Sequence, residues 1–362
     1  MSMETLILGI ESSCDECSAS VLHRVDGKYI PLSVSTFSQI ELHQPFGGVV
    51  PEVASRNHLE QIQRVIESAL AEAQWKGSTV TYQDLNAIAV TNRPGLIGAL
   101  LVGVTAAKTL AYSLKIPLVP IHHLEGHLMS AFLSTDAVPE PLEKIKFPAL
   151  FLIASGGHTQ LHCLETPPEQ WTKDVLKTSL MGRSLDDAAG EAFDKTAKIL
   201  GFPYPGGKWV DQHSKNGARD AFSLPRGLKQ KEGFDFSFSG LKTALMLLSQ
   251  KLGREGVLPE KLNDVCASVQ EAIVEPLVLR TISAARFKKA KSIVVVGGVA
   301  ANSRLRDRLV GESPVPVFFP DLKYCTDNAA MIAAAGACRF TQGALLSPQE
   351  YLKLNGFATS EI

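Results

Sequence analysis

Cysteine is scarce in this chain, and the six cysteines among its 362 residues stand at irregular positions. Such spacing is unlike the disulfide framework of small secreted domains, so reduced thiols are expected. Net charge is nearly absent as well, because 36 Lys and Arg face 37 Asp and Glu. No whole-molecule field therefore draws the chain to nucleic acid or an anionic membrane, and any polyanion must meet a local patch.

Long apolar runs are also missing. The start of the chain has no basic segment followed by an apolar stretch, and no later segment reaches the roughly 20 uninterrupted apolar residues that span a bilayer. We therefore expect a cytoplasmic protein with no membrane partner.

The composition that is present, 45% hydrophobic and 20% charged residues, is that of a globular protein. Apolar and β-branched runs predict strands at 5–10, 19–23, 87–90, 118–122, 149–154, 160–164 and 292–296. Helices are predicted at 54–73, 98–114, 184–200, 262–289, 302–309 and 326–340. This order indicates an α/β protein, and its length favours two domains of about 150 residues.

A weak duplication suggests two related lobes that clasp a ligand. Residues 6–15 and residues 150–159 each lead from a strand through a turn of small residues into a second strand. Paired glycines follow two predicted strands, at 155–159 (SGGHT) and 297–302 (GGVAAN). Glycine lets backbone N–H groups approach a phosphate, although each pair alone is also typical of an ordinary turn. Together with the turn after Glu11 and residues 204–207 (YPGG), they predict a nucleotide site built from separated loops.

Three histidines occur within residues 122–127 (HHLEGH). His123 and His127 are four residues apart, so on a helix both rings reach one divalent metal. The alternative is that they are ordinary core histidines. A third ligand is still needed, and a carboxylate such as Asp327 is the kind of partner expected.

Acidic residues recur in residues 185–195, where Asp186 stands beside a stripe formed by Asp187, Glu191 and Asp194. Like charges at this helical spacing repel unless a cation or a hydroxyl-rich ligand lies opposite. We favour a ligand site over a merely solvated face. Cys14 and Cys17 have redox-motif spacing, but we interpret them as buried or half-buried thiols without a catalytic role.

Ten short motifs follow one another along the chain, at 9–16 (GIESSCDE), 47–52 (GGVVPE), 94–96 (PGL), 122–127 (HHLEGH), 155–159 (SGGHT), 186–195 (DDAAGEAFDK), 204–207 (YPGG), 236–242 (FSFSGLK), 297–302 (GGVAAN) and 325–328 (CTDN). In this order they resemble the TsaD family, the tRNA N6-adenosine threonylcarbamoyltransferases, most closely its bacterial form. The resemblance covers about residues 6–340.

This resemblance implies an actin-like and sugar-kinase-like (ASKHA) fold with a ligand cleft between two lobes. We expect an N-terminal lobe from residues 1–130 and about 326–362. Residues 131–325 are expected to form a C-terminal lobe with a long loop insertion at about 201–238.

The resemblance also implies the reaction, an acyl transfer. The threonylcarbamoyl group of threonylcarbamoyl-adenylate moves to N6 of adenosine 37 in tRNAs that read codons beginning with A. A TsaB-like paralogue and a TsaE-like ATPase are implied as partners. One divalent metal per subunit, iron or zinc, is implied with the ligands His123, His127 and Asp327. The positions that match adenylate contacts are Ile153, Ala154, Ser155, Gly156, Gly157, Asp194, Gly207, Asp211 and Asn302.

No protein nucleophile is required, because AMP is a good leaving group and the enzyme need mainly orient the acyl carbon and stabilise negative charge. On chemistry alone His158 is one candidate base for the adenine amine. One alternative function is a metal-dependent protease. Zincins use a glutamate directly after the first histidine, and this chain has none at that position. Another is a non-catalytic, actin-like nucleotide-binding scaffold, which would not need paired histidines.

Overall fold

The computed structural model describes residues 4–227 and 233–359. Its strands, in chain order, are β1 (Thr5–Glu11), β2 (Glu16–Val25), β3 (Lys28–Pro31), β4 (Ser35–Ser38), β5 (Gln74–Trp75), β6 (Ser78–Thr79), β7 (Ala87–Arg93), β8 (Leu118–His122), β9 (Ala149–Ala154), β10 (Thr159–Leu164), β11 (Leu180–Arg183), β12 (Ser292–Val296) and β13 (Val317–Phe318).

The helices are α1 (Ile40–His43), α2 (Pro51–Glu72), α3 (Ile97–Leu114), α4 (His123–Ser130), α5 (Pro141–Lys144), α6 (Val175–Ser179), α7 (Ala189–Ile199), α8 (Gly207–Ser214), α9 (Ser239–Arg254), α10 (Leu258–Phe287), α11 (Ser303–Glu312), α12 (Ala329–Thr341) and α13 (Pro348–Tyr351). Strands and helices thus alternate as the sequence predicts.

The chain forms two compact units. Unit 1 comprises Met1–Lys144, Pro167–Trp171 and Pro320–Ile362, and unit 2 comprises Ile145–Thr166 and Thr172–Phe319. The lobe boundaries expected from the sequence stay a prediction. Residues 1–3, 228–232 and 360–362, which those boundaries include, lie outside the described residues.

The central sheet of unit 1 has the strand order β3-β2-β1-β7-β8 among the described residues, and β4 pairs with β2 off this path. Strands β1 and β2 are antiparallel, whereas β7 and β8 continue the sheet parallel to β1. Residues along a strand face alternate sides of the sheet. Leu6, Leu8 and Ile10 accordingly join the apolar core formed with α2 and α3.

The opposite face of this sheet lies against α12. A Cβ on Gly9 would collide with Ala329 and Ala333, so glycine in β1 is what allows α12 to approach this closely. The buried face of α12 is rich in alanine for the same reason, since small side chains permit close packing of a helix on a sheet. This contact places the residues just before α12 beside the end of β1.

Helix α3 is the one described helix that is long and apolar enough to cross a membrane by length and composition alone, with a mean hydropathy of 1.5. A third of it is buried. Its buried residues include Leu100, Val104 and Ala107, and the last two belong to the unit 1 core. A core helix of a folded domain gives the same composition.

The sheet of unit 2 has the order β11-β10-β9-β12-β13. Strands β9 and β10 are antiparallel, and β12 and β13 follow parallel to β9. Strand order and direction thus repeat those of unit 1. The duplication that the sequence predicts is confirmed.

Predicted and observed elements differ most between residues 184 and 254. The helix expected at 184–200 begins only at Ala189, so Asp186 and Asp187 precede it. The stretch expected as a loop at 201–238 contains α8, and α9 was not predicted. The carboxylate of Asp186 explains the first difference, because it accepts hydrogen bonds from Ser237 Oγ (2.5 Å) and the Phe238 N–H (2.7 Å) at the start of α9.

Candidate functional site

The three expected metal ligands lie together in unit 1. Asp327 Oδ1 is 3.5 Å from His123 Nε2 and 3.2 Å from His127 Nε2. One ligand atom from each residue lies within 4.8 Å of the others. The structure therefore assembles two imidazoles and one carboxylate around one point.

Local sequence explains how these side chains are positioned. Helix α4 begins at His123, where the side chain of His122 accepts a hydrogen bond from the Leu124 N–H. One helical turn separates the two histidines, so they point the same way. On α12, the side chain of Asn328 caps the helix by accepting from the Met331 N–H, which fixes the backbone beside Asp327.

Glycine lies at the contact between α4 and α12. A Cβ on Gly126 of α4 would lie 2.6 Å from Ile332 Cδ1 of α12, which is closer than carbon atoms tolerate. The glycine between the two histidines in the HHLEGH motif therefore packs against α12, and a larger residue there would require the Ile332 side chain to shift.

The residues present fit a divalent cation. His127 is fully buried, yet neither of its ring nitrogens has a hydrogen-bond partner among the described residues. Its Nε2 faces Asp327 Oδ1 at 3.2 Å without hydrogen-bonding geometry. A buried polar atom without a partner is costly, and a metal ion satisfies a neutral imidazole nitrogen. Two histidines and a carboxylate suit first-row divalent metals.

The electrostatics indicate the same need for positive charge. Burial alone would raise the pKa of Asp327, but the neighbouring histidines hold it well below its ordinary value. Burial would lower the pKa of His123, yet Asp327 and Glu11 raise it well above its ordinary value. The pKa of Glu11 is lowered by His123 against the effect of burial. The carboxylates of Glu11 and Asp327 thus favour positive charge at His123, which lies between them, or at an ion beside it.

Glu11 was not predicted as part of this centre. Its Oε2 lies 3.0 Å from His123 Nδ1, on the side of the ring away from Asp327. The only signal in the sequence was a glutamate at the end of an apolar strand.

The nine residues expected to contact the adenylate all lie in unit 2. Ile153 and Ala154 are buried at the end of β9, followed by the turn of Ser155, Gly156 and Gly157. Ser155 holds this turn, because its N–H donates to the His158 carbonyl (2.8 Å) and its Oγ accepts from the His158 N–H.

Gly156 and Gly157 are exposed, and a Cβ on either would meet nothing within 4 Å in the described residues. Neither has a positive φ. Packing within the described residues and backbone conformation therefore do not require glycine at these two positions. Open space above two glycines is what a closely approaching ligand needs.

The other expected adenylate residues stand on α7, α8 and the start of α11. Asp194 Oδ1 accepts a hydrogen bond from the Gly206 N–H (2.7 Å), which ties α7 to the turn before Gly207. Asp211 Oδ1 accepts from Ser303 Oγ (2.7 Å), and Asn302 Nδ2 lies 3.4 Å from the same oxygen. These hydrogen bonds bring Asp194 to Gly207 and Asp211 to Asn302; that these residues contact a ligand stays a prediction.

The acidic stripe does face a cation, and this cation is a side chain of the protein itself; a ligand contact at Asp194 stays a prediction. Lys195 Nζ lies 2.7 Å from Asp187 and 3.0 Å from Glu191, so a side chain of the same segment relieves their repulsion. The carboxylate of Asp186 accepts a hydrogen bond from Ser237 Oγ at the start of α9. Of the four acidic residues, Asp194 alone remains a candidate for ligand contact.

The cysteines match the expectation of free thiols, since no disulfide joins any of the six. Cys17 is buried in β2, and this burial raises its pKa to about 12. A thiol with so high a pKa is a poor nucleophile and a poor redox centre at neutral pH.

His158, the candidate base, lines a surface depression of about 370 Å³ in unit 2. Arg183 and Asp186 also line this depression. Whether His158 acts as a base stays a prediction.

Solved structures with this architecture share the fold at low sequence identity. HypF of T. kodakarensis has a TM-score of 0.54 at 13% identity, covering 96% of this chain and 49% of that chain. Component A of the (R)-2-hydroxyglutaryl-CoA dehydratase of Acidaminococcus fermentans has a TM-score of 0.50 at 14% identity, covering 93% and 99%. The expected α/β fold of the actin-like and sugar-kinase-like (ASKHA) type is confirmed.

Sequence relatives are much closer. A tRNA N6-adenosine threonylcarbamoyltransferase of Magnetococcus marinus is 48% identical over 344 residues, which cover 93% of this chain and 92% of the relative. One of Listeria monocytogenes serotype 4b is 47% identical over 348 residues, which cover 95% and 94%. Residues 32–334 match the family described as TsaD, tRNA N6-adenosine threonylcarbamoyltransferase. This chain therefore belongs to the TsaD family.

Proposed function

We propose that this chain transfers the threonylcarbamoyl group from threonylcarbamoyl-adenylate to N6 of adenosine 37 in tRNAs that read codons beginning with A. Full-length similarity to named threonylcarbamoyltransferases supports the reaction class, an acyl transfer to tRNA. The observation that carries the proposal is the convergence of His123, His127 and Asp327 from distant parts of the chain.

One divalent metal, iron or zinc, is held by these three side chains. Such an ion supplies Lewis-acid polarisation of the carbamoyl oxygen or a ligand position for the threonyl group. The protein contributes the geometry: α4 orients both imidazoles, and the capped start of α12 presents the carboxylate.

The adenylate is held by unit 2. Backbone N–H groups at Gly156 and Gly157 face the phosphate, where the open space above both glycines admits it, while the Ser155 N–H holds the turn by donating to the His158 carbonyl. Asp194 accepts hydrogen bonds from ligand hydroxyl groups, and Gly207, Asp211 and Asn302 complete the site. Ile153 and Ala154 support the turn from the sheet.

The glutamate of the histidine motif does not support a metalloprotease function. The carboxylate of Glu125 is buried against Arg339, with Arg339 Nε 2.7 Å from Glu125 Oε1. A carboxylate neutralised in this way does not serve as the general base of a zincin.

The wider expectations follow from the same proposal. A TsaB-like paralogue and a TsaE-like ATPase act with this chain in the cytoplasm. The N-terminal lobe comprises residues 1–130 and about 326–362, and the C-terminal lobe comprises 131–325.

The test uses the purified chain with both partners, threonylcarbamoyl-adenylate and unmodified tRNA transcripts. Mass analysis of the digested nucleosides should find threonylcarbamoyladenosine in a transcript that reads A-starting codons. A transcript with guanosine at position 37 should stay unmodified. Absence of the modified nucleoside from every transcript would contradict the proposal.

A further inference from the structure

Glu11 is a buried carboxylate at the end of an otherwise apolar strand. Its side chain is 1% exposed, and all residues of β1 are buried. Taking a carboxylate out of water is costly unless hydrogen bonds satisfy its oxygens. The partners of Glu11 therefore indicate what it does.

Each carboxylate oxygen has a defined donor. Oε1 accepts from the Ser13 N–H at 2.6 Å, and Oε2 accepts from Thr91 Oγ1 at 2.6 Å. These two hydrogen bonds fix the carboxylate plane from the turn after β1 and from the neighbouring strand β7. Oε2 then lies 3.0 Å from His123 Nδ1.

This contact determines which His123 nitrogen faces Asp327. A carboxylate accepts hydrogen bonds, so Nδ1 carries the hydrogen and donates it to Glu11. The opposite nitrogen, Nε2, lies 3.5 Å from Asp327 Oδ1. An imidazole held in this way presents its Nε2 lone pair to a metal.

The two histidines differ in this respect. His127 has no hydrogen-bond partner at either nitrogen in the described part of the chain, and its ring is held by packing and by the 3.2 Å contact of Nε2 with Asp327 Oδ1. His123 is held from behind by a charged acceptor, and Ser13 Oγ also lies 3.2 Å from its Nδ1. Hydrogen bonding at Nδ1 thus orients His123, with Glu11 as the charged acceptor.

We propose that Glu11 is a positioning residue for the metal centre. Through the Nδ1 hydrogen it holds the His123 ring so that Nε2 points at the site shared with His127 and Asp327. This inference rests on the proposed metal site and adds to it a residue that touches neither metal nor substrate. Carboxylates behind a metal-bound histidine raise its basicity and fix its orientation.

The test measures zinc affinity of the full chain by competition with a chromophoric chelator, without substrate. Glu11→Gln keeps the shape of the side chain but offers one acceptor oxygen where three donors converge. Loss of such a partner weakens metal binding by about 10- to 100-fold. A shift of this size is the expected result, and unchanged zinc affinity in a folded Glu11→Gln protein would overturn the proposal.

Two further variants separate positioning from general damage. Glu271→Gln changes another largely buried carboxylate, which binds Arg304 and Arg308 in unit 2, and it should leave zinc affinity unchanged. Thr91→Val removes one hydrogen bond to Glu11 without removing its charge, so the loss should be smaller than for Glu11→Gln. If Glu11→Gln does not fold, an unchanged zinc affinity in Thr91→Val would overturn the proposal.

A spectroscopic signature is independent of affinity. In the zinc-loaded wild-type protein labelled with ¹⁵N-histidine, the His123 Nδ1–H should exchange slowly with water. In Thr91→Val or Glu11→Gln the same hydrogen should exchange faster. Full zinc affinity in His127→Ala would show that the metal site itself is wrongly assigned. Full zinc affinity in Glu11→Gln but not in His127→Ala would contradict only the role of Glu11.

Discussion

Arg339 donates hydrogen bonds to both oxygens of Glu125, from Nε at 2.7 Å and from Nη2 at 3.0 Å, across 214 residues of chain. Both side chains are less than a tenth exposed. Because Glu125 lies between His123 and His127 on α4 and Arg339 lies on α12, this ion pair joins α4 to the helix that begins just after Asp327.

Removing the cation from this pair should lower the free energy of unfolding of unit 1. Arg339→Met leaves the Glu125 carboxylate buried without a partner, which typically costs about 3–5 kcal/mol. Urea unfolding followed by fluorescence of Trp75 and Trp171, both in unit 1, measures the loss. The double variant Glu125→Met with Arg339→Met should recover most of it. A double variant as unstable as Arg339→Met would contradict this account of the pair.

Loss of either histidine should empty the metal centre without unfolding the protein. In His123→Ala or His127→Ala, one imidazole and one carboxylate remain, and two protein ligands hold a divalent ion poorly. Metal analysis of the purified variants measures the stoichiometry. His213→Ala, a half-buried histidine of unit 2, is the control and should bind as much metal as the wild type. Full metal content in the double histidine variant would rule out the centre.

Asp194→Asn should weaken the binding of a stable adenylate analogue. Loss of a charge-assisted hydrogen bond typically costs about 1.5–3 kcal/mol, or roughly one to two decades in affinity. The asparagine oxygen can still accept from the Gly206 N–H, so the turn before Gly207 is retained. Calorimetric titration gives the affinity. Asp187→Asn, which disturbs only the ion pair with Lys195, serves as the control.

Should Asp194→Asn and Asp187→Asn bind the analogue as tightly as the wild type, the Asp194 carboxylate has a structural role, such as its hydrogen bond from Gly206. The assignment of Asp194 to the adenylate would then be withdrawn.

His162 should make stability depend on pH. Burial lowers its pKa from 6.5 to about 4, so the folded protein holds a neutral ring while the unfolded chain accepts a proton. Stability is therefore lost as the pH falls from about 6.5 to about 4, and the loss at pH 5 amounts to about 2 kcal/mol. His162→Gln should remove this share of the pH dependence in denaturant unfolding. Parallel pH profiles for variant and wild type would contradict the assignment.

Patterns within single elements could be predicted from the sequence. Strands β8, β9 and β12 were predicted with the observed bounds, because short apolar runs between turns have few other structures available. The histidine pair was equally visible, since its four-residue spacing is local. Asp327 was expected only as a suitable carboxylate and through family resemblance.

Features that depend on distant contacts could not be predicted in this way. Helix α7 begins late because Asp186 turns to the start of α9, about 50 residues further along the chain. Helix α8 follows a turn whose Gly206 N–H is bound by Asp194, so no local cap marks its start. Glu11 was missed because its partner, His123, is more than 100 residues away.

The most direct test of the central claim measures the initial rate of threonylcarbamoyladenosine formation in tRNA by the wild type, His127→Ala and the control Glu271→Gln. All three are assayed with the same partners and threonylcarbamoyl-adenylate. We expect the wild type and Glu271→Gln to modify the tRNA, and His127→Ala to lose both its metal and the activity. Modification at the wild-type rate by a metal-free His127→Ala protein would contradict the account.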